Sequence, residues 1–229
     1  MIAIIRSAKA FALLGSTLLC ASALAACSPI RAQAPVTLPD PEVDEPVAMS
    51  KGQPTAVFAG GCFWGIEAIF EHVKGVREAT SGYAGGDAGT ANYDTVSSGR
   101  TGHAESVRLK YDRSQITYGQ LLKVFFSVGL DPTELNRQGP DEGPQYRSVL
   151  FVTNAEQKRV AEAYIAQLNQ AKVFKRPIAT QVVPLTEYFL AEGYHQDFVE
   201  KNPTNRYVAM FDLPKLEHLK KQFPQLYKP

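Results

Sequence analysis

Cysteine is scarce in this chain of 229 residues: there are three, at Cys20, Cys27 and Cys62. No two of them form a C-x-x-C pair, and no zinc-ligand spacing is present. Net charge is scarce too, at +1. That removes the electrostatic argument for nucleic acid or an anionic membrane surface as a partner. The glycine-rich run "GYAGG" at 82–86 lacks the Lys-Ser/Thr that a phosphate loop requires. No Ser-His-Asp order stands out. His103 and His195 are isolated and read as hydrogen-bonded structural residues. What remains is ordinary for a globular protein, with 45% hydrophobic and 21% charged residues.

The first residues do not read as part of the fold. Arg6 and Lys9 precede an apolar stretch of small and aliphatic residues, too short for a membrane span and laid out like a secretory signal. It ends in Leu24-Ala25-Ala26-Cys27, which resembles the lipobox of bacterial lipoprotein signals. That resemblance implies cleavage before Cys27, a lipid on its sulfur and anchoring on the periplasmic side; Ser28 implies the outer membrane. The simpler alternative is a plain secretory signal cut near Ala26. Residues 27–52 hold many prolines and few large apolar residues, and read as an extended tether. One domain is expected over 53–229.

Within that body "TAVFAGG" reads as a strand and tight turn. "CFWGIEAIFEHVKG" has Phe63, Ile66, Ile69 and Phe70 at helical spacing. Two alternating segments follow, "VREATSGYAGG" and "AESVRLKYD". The pattern predicts a helix from Thr117 with Gly129 after its end, a strand in "YRSVLFVT", a helix from Asn154 and a strand in "IATQVVPL". Strand–helix–strand–strand–helix–strand–helix–strand fits an α+β, two-layer sandwich of the ferredoxin-like, split βαβ type. The sequence after Leu185 is irregular, with a short helix expected in "TEYFLAEGYHQDFVEKNP" and a basic helix in the tail.

Cys62 sits between strand and helix in "GGCFWG". A cysteine at a helix N-terminus meets unpaired N–H groups and the positive end of the helix dipole. The expected effect is a lowered pKa, and the glycines are expected to let a ligand approach the backbone. An unpaired thiol in an exported domain reads as an activated nucleophile; the alternative is a small core cysteine. Partners are sought in the polar clusters "TSGYAGG", "NYDTVSSGRTGHAES" and "QGPDEGPQYRS", which offer tyrosine hydroxyls, Glu105 and Asp141.

"GCFWG", "GYAGG", "YDTVSSGRTGHAE", "GPQYRS" and "GYHQDFVEKNP", in this order, resemble the type A peptide methionine sulfoxide reductase family over about Ala56 to Tyr207. The resemblance implies that Cys62 attacks the sulfoxide sulfur of the S epimer, free or in proteins, and becomes a sulfenic acid. It implies Glu105 as the acid, and Tyr93 and Tyr146 as donors to the sulfoxide oxygen. Phe63 and Trp64 would hold the S-methyl group, and Asp141 would orient the substrate. Many relatives carry resolving cysteines in the C-terminal tail; here none follows Cys62, and Ser97 stands where relatives often have another. The expectation is therefore a one-cysteine, monomeric enzyme without metal or organic cofactor. An external thiol would reduce it: a thioredoxin-like protein, a glutaredoxin or a small thiol. Two other classes compete. One is an anchored, non-catalytic binder of oxidised proteins, for which Cys62 and Glu105 would be superfluous. The other is a disulfide oxidoreductase or redox sensor, disfavoured by the missing C-x-x-C.

Overall fold

The computed structural model describes residues 37–46 and 54–229. The expected leader, 1–26, and Cys27 lie outside the described residues. Strand β1 (Thr55–Ala59) leads into helix α1 (Phe63–Glu71). Then come β2 (Val76–Ala84), β3 (Ala104–Tyr111) and α2 (Tyr118–Val124), which runs on into a π-helical turn, Phe125–Gly129. β4 (Val149–Val152), α3 (Ala155–Gln170) and β5 (Gln181–Pro184) follow. A short β6 (Tyr188–Leu190), a π-helical turn at Val208–Asp212 and α4 (Leu213–Gln222) complete the chain.

The sheet order is β5-β4-β1-β3-β2-β6. Its centre, β4-β1-β3-β2, is antiparallel, with β3 inserted between β1 and β2. That is the split βαβ arrangement expected from the sequence. β5 extends one edge in parallel to β4, and β6 extends the other antiparallel to β2. Alternation explains the layers: Ala56 and Phe58 of β1 enter the main core with Ile66, Ile69 and Phe70 of α1, while Val57 and Ala59 pack on the other face with Val149 and Phe151. The irregular segment after Leu185 holds the short helix expected there, at Phe198–Lys201, preceded by β6, which the sequence did not announce.

Over 37–46, the part of the expected tether that the structure describes, the tether reading and the boundary at 53 need correction. Residues 37–46 are docked as a strap across α2 and α3. Leu38 is 2% exposed. The Tyr164 hydroxyl donates to the Pro39 carbonyl at 2.9 Å, and Gln167 donates to the Asp40 carbonyl at 2.8 Å. Asp44 accepts from the Gly119 N–H at 2.8 Å, and Glu45 accepts from the Tyr118 N–H at 3.0 Å and the Tyr111 hydroxyl at 2.9 Å. Two carboxylates thus cover the N-terminus of α2, where unpaired N–H groups favour anions. A count of apolar residues misses such a segment, because polar groups hold most of it.

Candidate active site

The site lies where β1 ends. Gly60 and Gly61 turn the chain, Cys62 is the residue before the first turn of α1, and Phe63 begins the helix. Gly61 has φ +91°, and a Cβ there would come within 2.7 Å of the Gln138 side chain. The glycine therefore admits the 131–141 loop rather than a ligand, which corrects the expectation from sequence. At Gly65 a Cβ would lie 2.3 Å from a carboxylate oxygen of Asp212, so that buried acid rests directly on the first turn of α1.

All seven sequence-expected residues of the body line one cavity of about 300 Å³: Cys62, Phe63, Trp64, Tyr93, Glu105, Asp141 and Tyr146. They come from four places. Cys62, Phe63 and Trp64 belong to the start of α1, and Glu105 to β3. Tyr93 opens a single helical turn, Tyr93–Val96, and Asp141 and Tyr146 lie in the loop before β4. Asn205 and Tyr207 also line the cavity. Sequence reasoning missed Tyr207, although "EKNPTNRY" adjoins a motif already singled out.

Glu105 is 2% exposed and accepts the Phe63 N–H at 3.1 Å. Burial raises its pKa to about 8; the Phe63 bond opposes this and nearby Asp141 adds to it. The carboxyl is therefore protonated at neutral pH. Cys62 is 8% exposed and is the free cysteine among the described residues. Its thiol is pushed well up, chiefly by burial and then by Glu105, Asp212 and Asp141. The lowered thiol pKa expected from the helix terminus is thus overturned: desolvation and three acids outweigh the dipole. Burial raises Asp141 too, against the hydrogen bond it accepts from the Tyr207 hydroxyl. Burial likewise raises Tyr93 and Tyr146, so both hydroxyls keep their protons.

The aromatic wall is held from behind. Trp64 stacks on Phe198 at 3.7 Å and donates its indole N–H to Nδ1 of His195 at 3.0 Å. Burial lowers the His195 pKa, consistent with a neutral acceptor ring. Glu192 ties two further elements together, accepting from the Tyr93 N–H at 2.9 Å and the Tyr83 hydroxyl at 2.8 Å. Ser97 is exposed and donates to the Tyr93 carbonyl at 2.6 Å. His103, as expected, is structural, bonding the Asp87 carbonyl at 3.0 Å. Chemically, this is a buried nucleophile beside a neutral acid and two hydroxyl donors, with an apolar wall.

Residues 54–227 match the family model described as "Peptide methionine sulfoxide reductase". The chain is 53% identical over 193 residues to "Peptide methionine sulfoxide reductase MsrA 2" of Synechocystis sp., covering 83% of this chain and 90% of that one. It is 55% identical over 176 residues to the protein of the same name from Mesorhizobium japonicum, covering 77% and 90%. Among solved structures it is similar to methionine sulfoxide reductase A of Corynebacterium diphtheriae, with a TM-score of 0.57, 33% identity, and 76% and 87% coverage. It is also similar to reduced Mxr1 of Saccharomyces cerevisiae, with a TM-score of 0.62, 29% identity, and 72% and 94% coverage.

Proposed function

The chain belongs to the peptide methionine sulfoxide reductase family, and from that premise we propose how its own residues do the work. The protein reduces methionine sulfoxide to methionine. The observation that carries the reading is the meeting of Cys62 with a protonated Glu105 in one cavity that also contains Tyr93 and Tyr146.

Cys62 Sγ bonds to the sulfoxide sulfur; the oxygen then passes to Sγ as the S–O and Sγ–S bonds break, and methionine leaves. The oxygen and the thiol's proton both end on Cys62 as S–O–H. Glu105 gives its proton to the departing oxygen and regains one from the thiol, so it finishes as it began. That exchange suits a thiol whose own pKa is high, because Cys62 needs to ionise only as its proton moves. Tyr93 and Tyr146 donate to the oxygen where negative charge gathers. Phe63 and Trp64 form the wall for the S-methyl group, and Asp141, bonded by Tyr207, orients the substrate. We read the preferred epimer as S.

The regeneration is read as one-cysteine chemistry, in which an outside thiol reduces the sulfenic acid without any cofactor. What supports it is that no cysteine follows Cys62 in the sequence. Export, a lipid on Cys27, repair of oxidised envelope proteins and a monomeric state complete the proposal. Its support is the Arg6/Lys9-led apolar leader ending in Leu24-Ala25-Ala26-Cys27.

The test is single-turnover reduction of S and R sulfoxide peptides by the full chain carrying Cys20→Ser and Cys27→Ser, without reductant. About one methionine per chain is expected, from the S epimer, with a sulfenic acid on Cys62 that dimedone traps. Cys62→Ser is expected to bind the peptide and give no product. Methionine from neither epimer would overturn the reading.

A further inference from the structure

Cys62 borders a second cavity. It measures about 140 Å³, and its walls include Val128, Leu130, Glu134, Pro140 and Phe211. Cys62, Asp141 and Tyr207 line both cavities, so the hydrogen-bonded Asp141–Tyr207 pair stands between them. Glu105, Tyr93 and Tyr146 line the first cavity and not the second. The second cavity is built from both π-helical turns of the described residues: Val128 and Gly129 from one, Phe211 from the other. Such turns carry a local cost and recur at functional sites.

The chemistry of regeneration needs a second approach. After methionine leaves, the oxygen on Cys62 lies on the side of Glu105 and the two tyrosines. A thiolate displaces a group from sulfur in line, arriving opposite the bond that breaks. The incoming sulfur must therefore reach Sγ from the side away from Glu105. We infer that the second cavity is the entry site for the reducing thiol, an inference that rests on the one-cysteine reading above.

In this step the thiolate sulfur bonds to Sγ, the Sγ–O bond breaks, and the oxygen leaves as water with a proton from Glu105. A second thiol then attacks the carrier's sulfur in the mixed disulfide and releases Cys62. Two thiols and one sulfenic acid give a disulfide, a cysteine thiol and water, with Glu105 reprotonated by the first thiol's proton.

The lining also selects the carrier. Three acids of the lining, Asp131, Glu134 and Asp141, outnumber its one cation, Lys215, although Arg137 pairs with Glu134 at 3.5 Å; Ser127, Gln138 and Tyr207 add polar groups to walls that Val128, Leu130, Pro140 and Phe211 make partly apolar. An anionic thiol is disfavoured there, and an uncharged one fits. Two exposed apolar side chains, Leu135 at 66% and Met210 at 45%, adjoin the lining residues Glu134 and Phe211 in sequence. They suit an apolar carrier, whether a small dithiol or an apolar patch around a protein dithiol.

The experiment uses the full chain with Cys20→Ser and Cys27→Ser, oxidised at Cys62 by one turnover. Reduction by dithiothreitol is timed with and without N-acetylmethionine methylamide, at a concentration that slows the sulfoxide step about tenfold by competition. The expected change in the reduction rate is under about twofold, because the thioether fills the other cavity. Glutathione, at equal thiolate concentration, is expected to react at least about tenfold more slowly than dithiothreitol. Phe211→Trp, which narrows the second cavity, is expected to slow reduction about fivefold and leave methionine formation within about twofold. A thioredoxin in place of dithiothreitol shows whether a protein carrier uses the same entry, by the same response to Phe211→Trp. Strong competition by the thioether would overturn the inference. So would a Phe211→Trp effect on the sulfoxide step alone, which would make the cavity a site for a neighbouring substrate residue. No methionine in the first turnover would instead sink the activity reading.

Discussion

Glu105 is a carboxyl that burial keeps protonated, and this sets a pH signature. Its folded pKa is about 8, against roughly 4.3 for an unperturbed glutamate. The sulfoxide step is expected to be flat from weakly acid to neutral pH and to fall above about pH 8, in single-turnover rates. Glu105→Gln keeps an acceptor for the Phe63 N–H and loses the proton, so the step should slow by about 10²–10⁴. The same residue links pH to stability. Between the two pKa values the unfolded chain sheds a proton that the folded one retains, so this group's contribution is full below about pH 4 and is lost as pH rises through about 8. Glu105→Gln should therefore gain stability relative to wild type at pH 9 compared with pH 5, read from urea midpoints. Cys62 teaches the opposite lesson at the same scale. A helix terminus is visible in sequence, whereas Asp212 and Asp141, distant in sequence, become its neighbours only through the fold.

At the scale of elements, α2 depends on acids from outside its own segment. Thr117 and Gln120 form a capping box, and Asp44 and Glu45 add acceptors at the same end. Asp44→Ala removes the acceptor for Gly119 and is expected to cost about 1–2 kcal/mol in chemical unfolding, with the sulfoxide step unchanged. The sequence displayed the central strands well, because Val107, Leu109 and Tyr111 alternate with less buried residues and so declare one face. The cavity residues were legible through their motifs. β6 was not: three residues, half-buried or exposed and paired only to β2, leave too little periodicity to read. Tyr207 and the His195 brace behind Trp64 were hidden for another reason, since their roles exist only in contacts between segments far apart in the chain.

For the whole molecule, the strap means that the folded unit begins before the β-sheet does. A chain starting at Pro54 loses the buried Leu38 and both acids at α2. It is expected to be less stable by about 3 kcal/mol, or roughly 6–12 °C in Tm, than one starting before Thr37. A calorimetric comparison of the two would check this. The strap also sets a distance. For a chain held in a bilayer at Cys27, as proposed, free contour up to Gln53 would allow a working radius of about 90 Å, whereas contour ending at the docked Thr37 allows about 35 Å. The enzyme would then patrol a thin shell along the membrane face. Oxidised proteins resting on that surface would fall within its reach, and those diffusing in the space beyond would have to come to it.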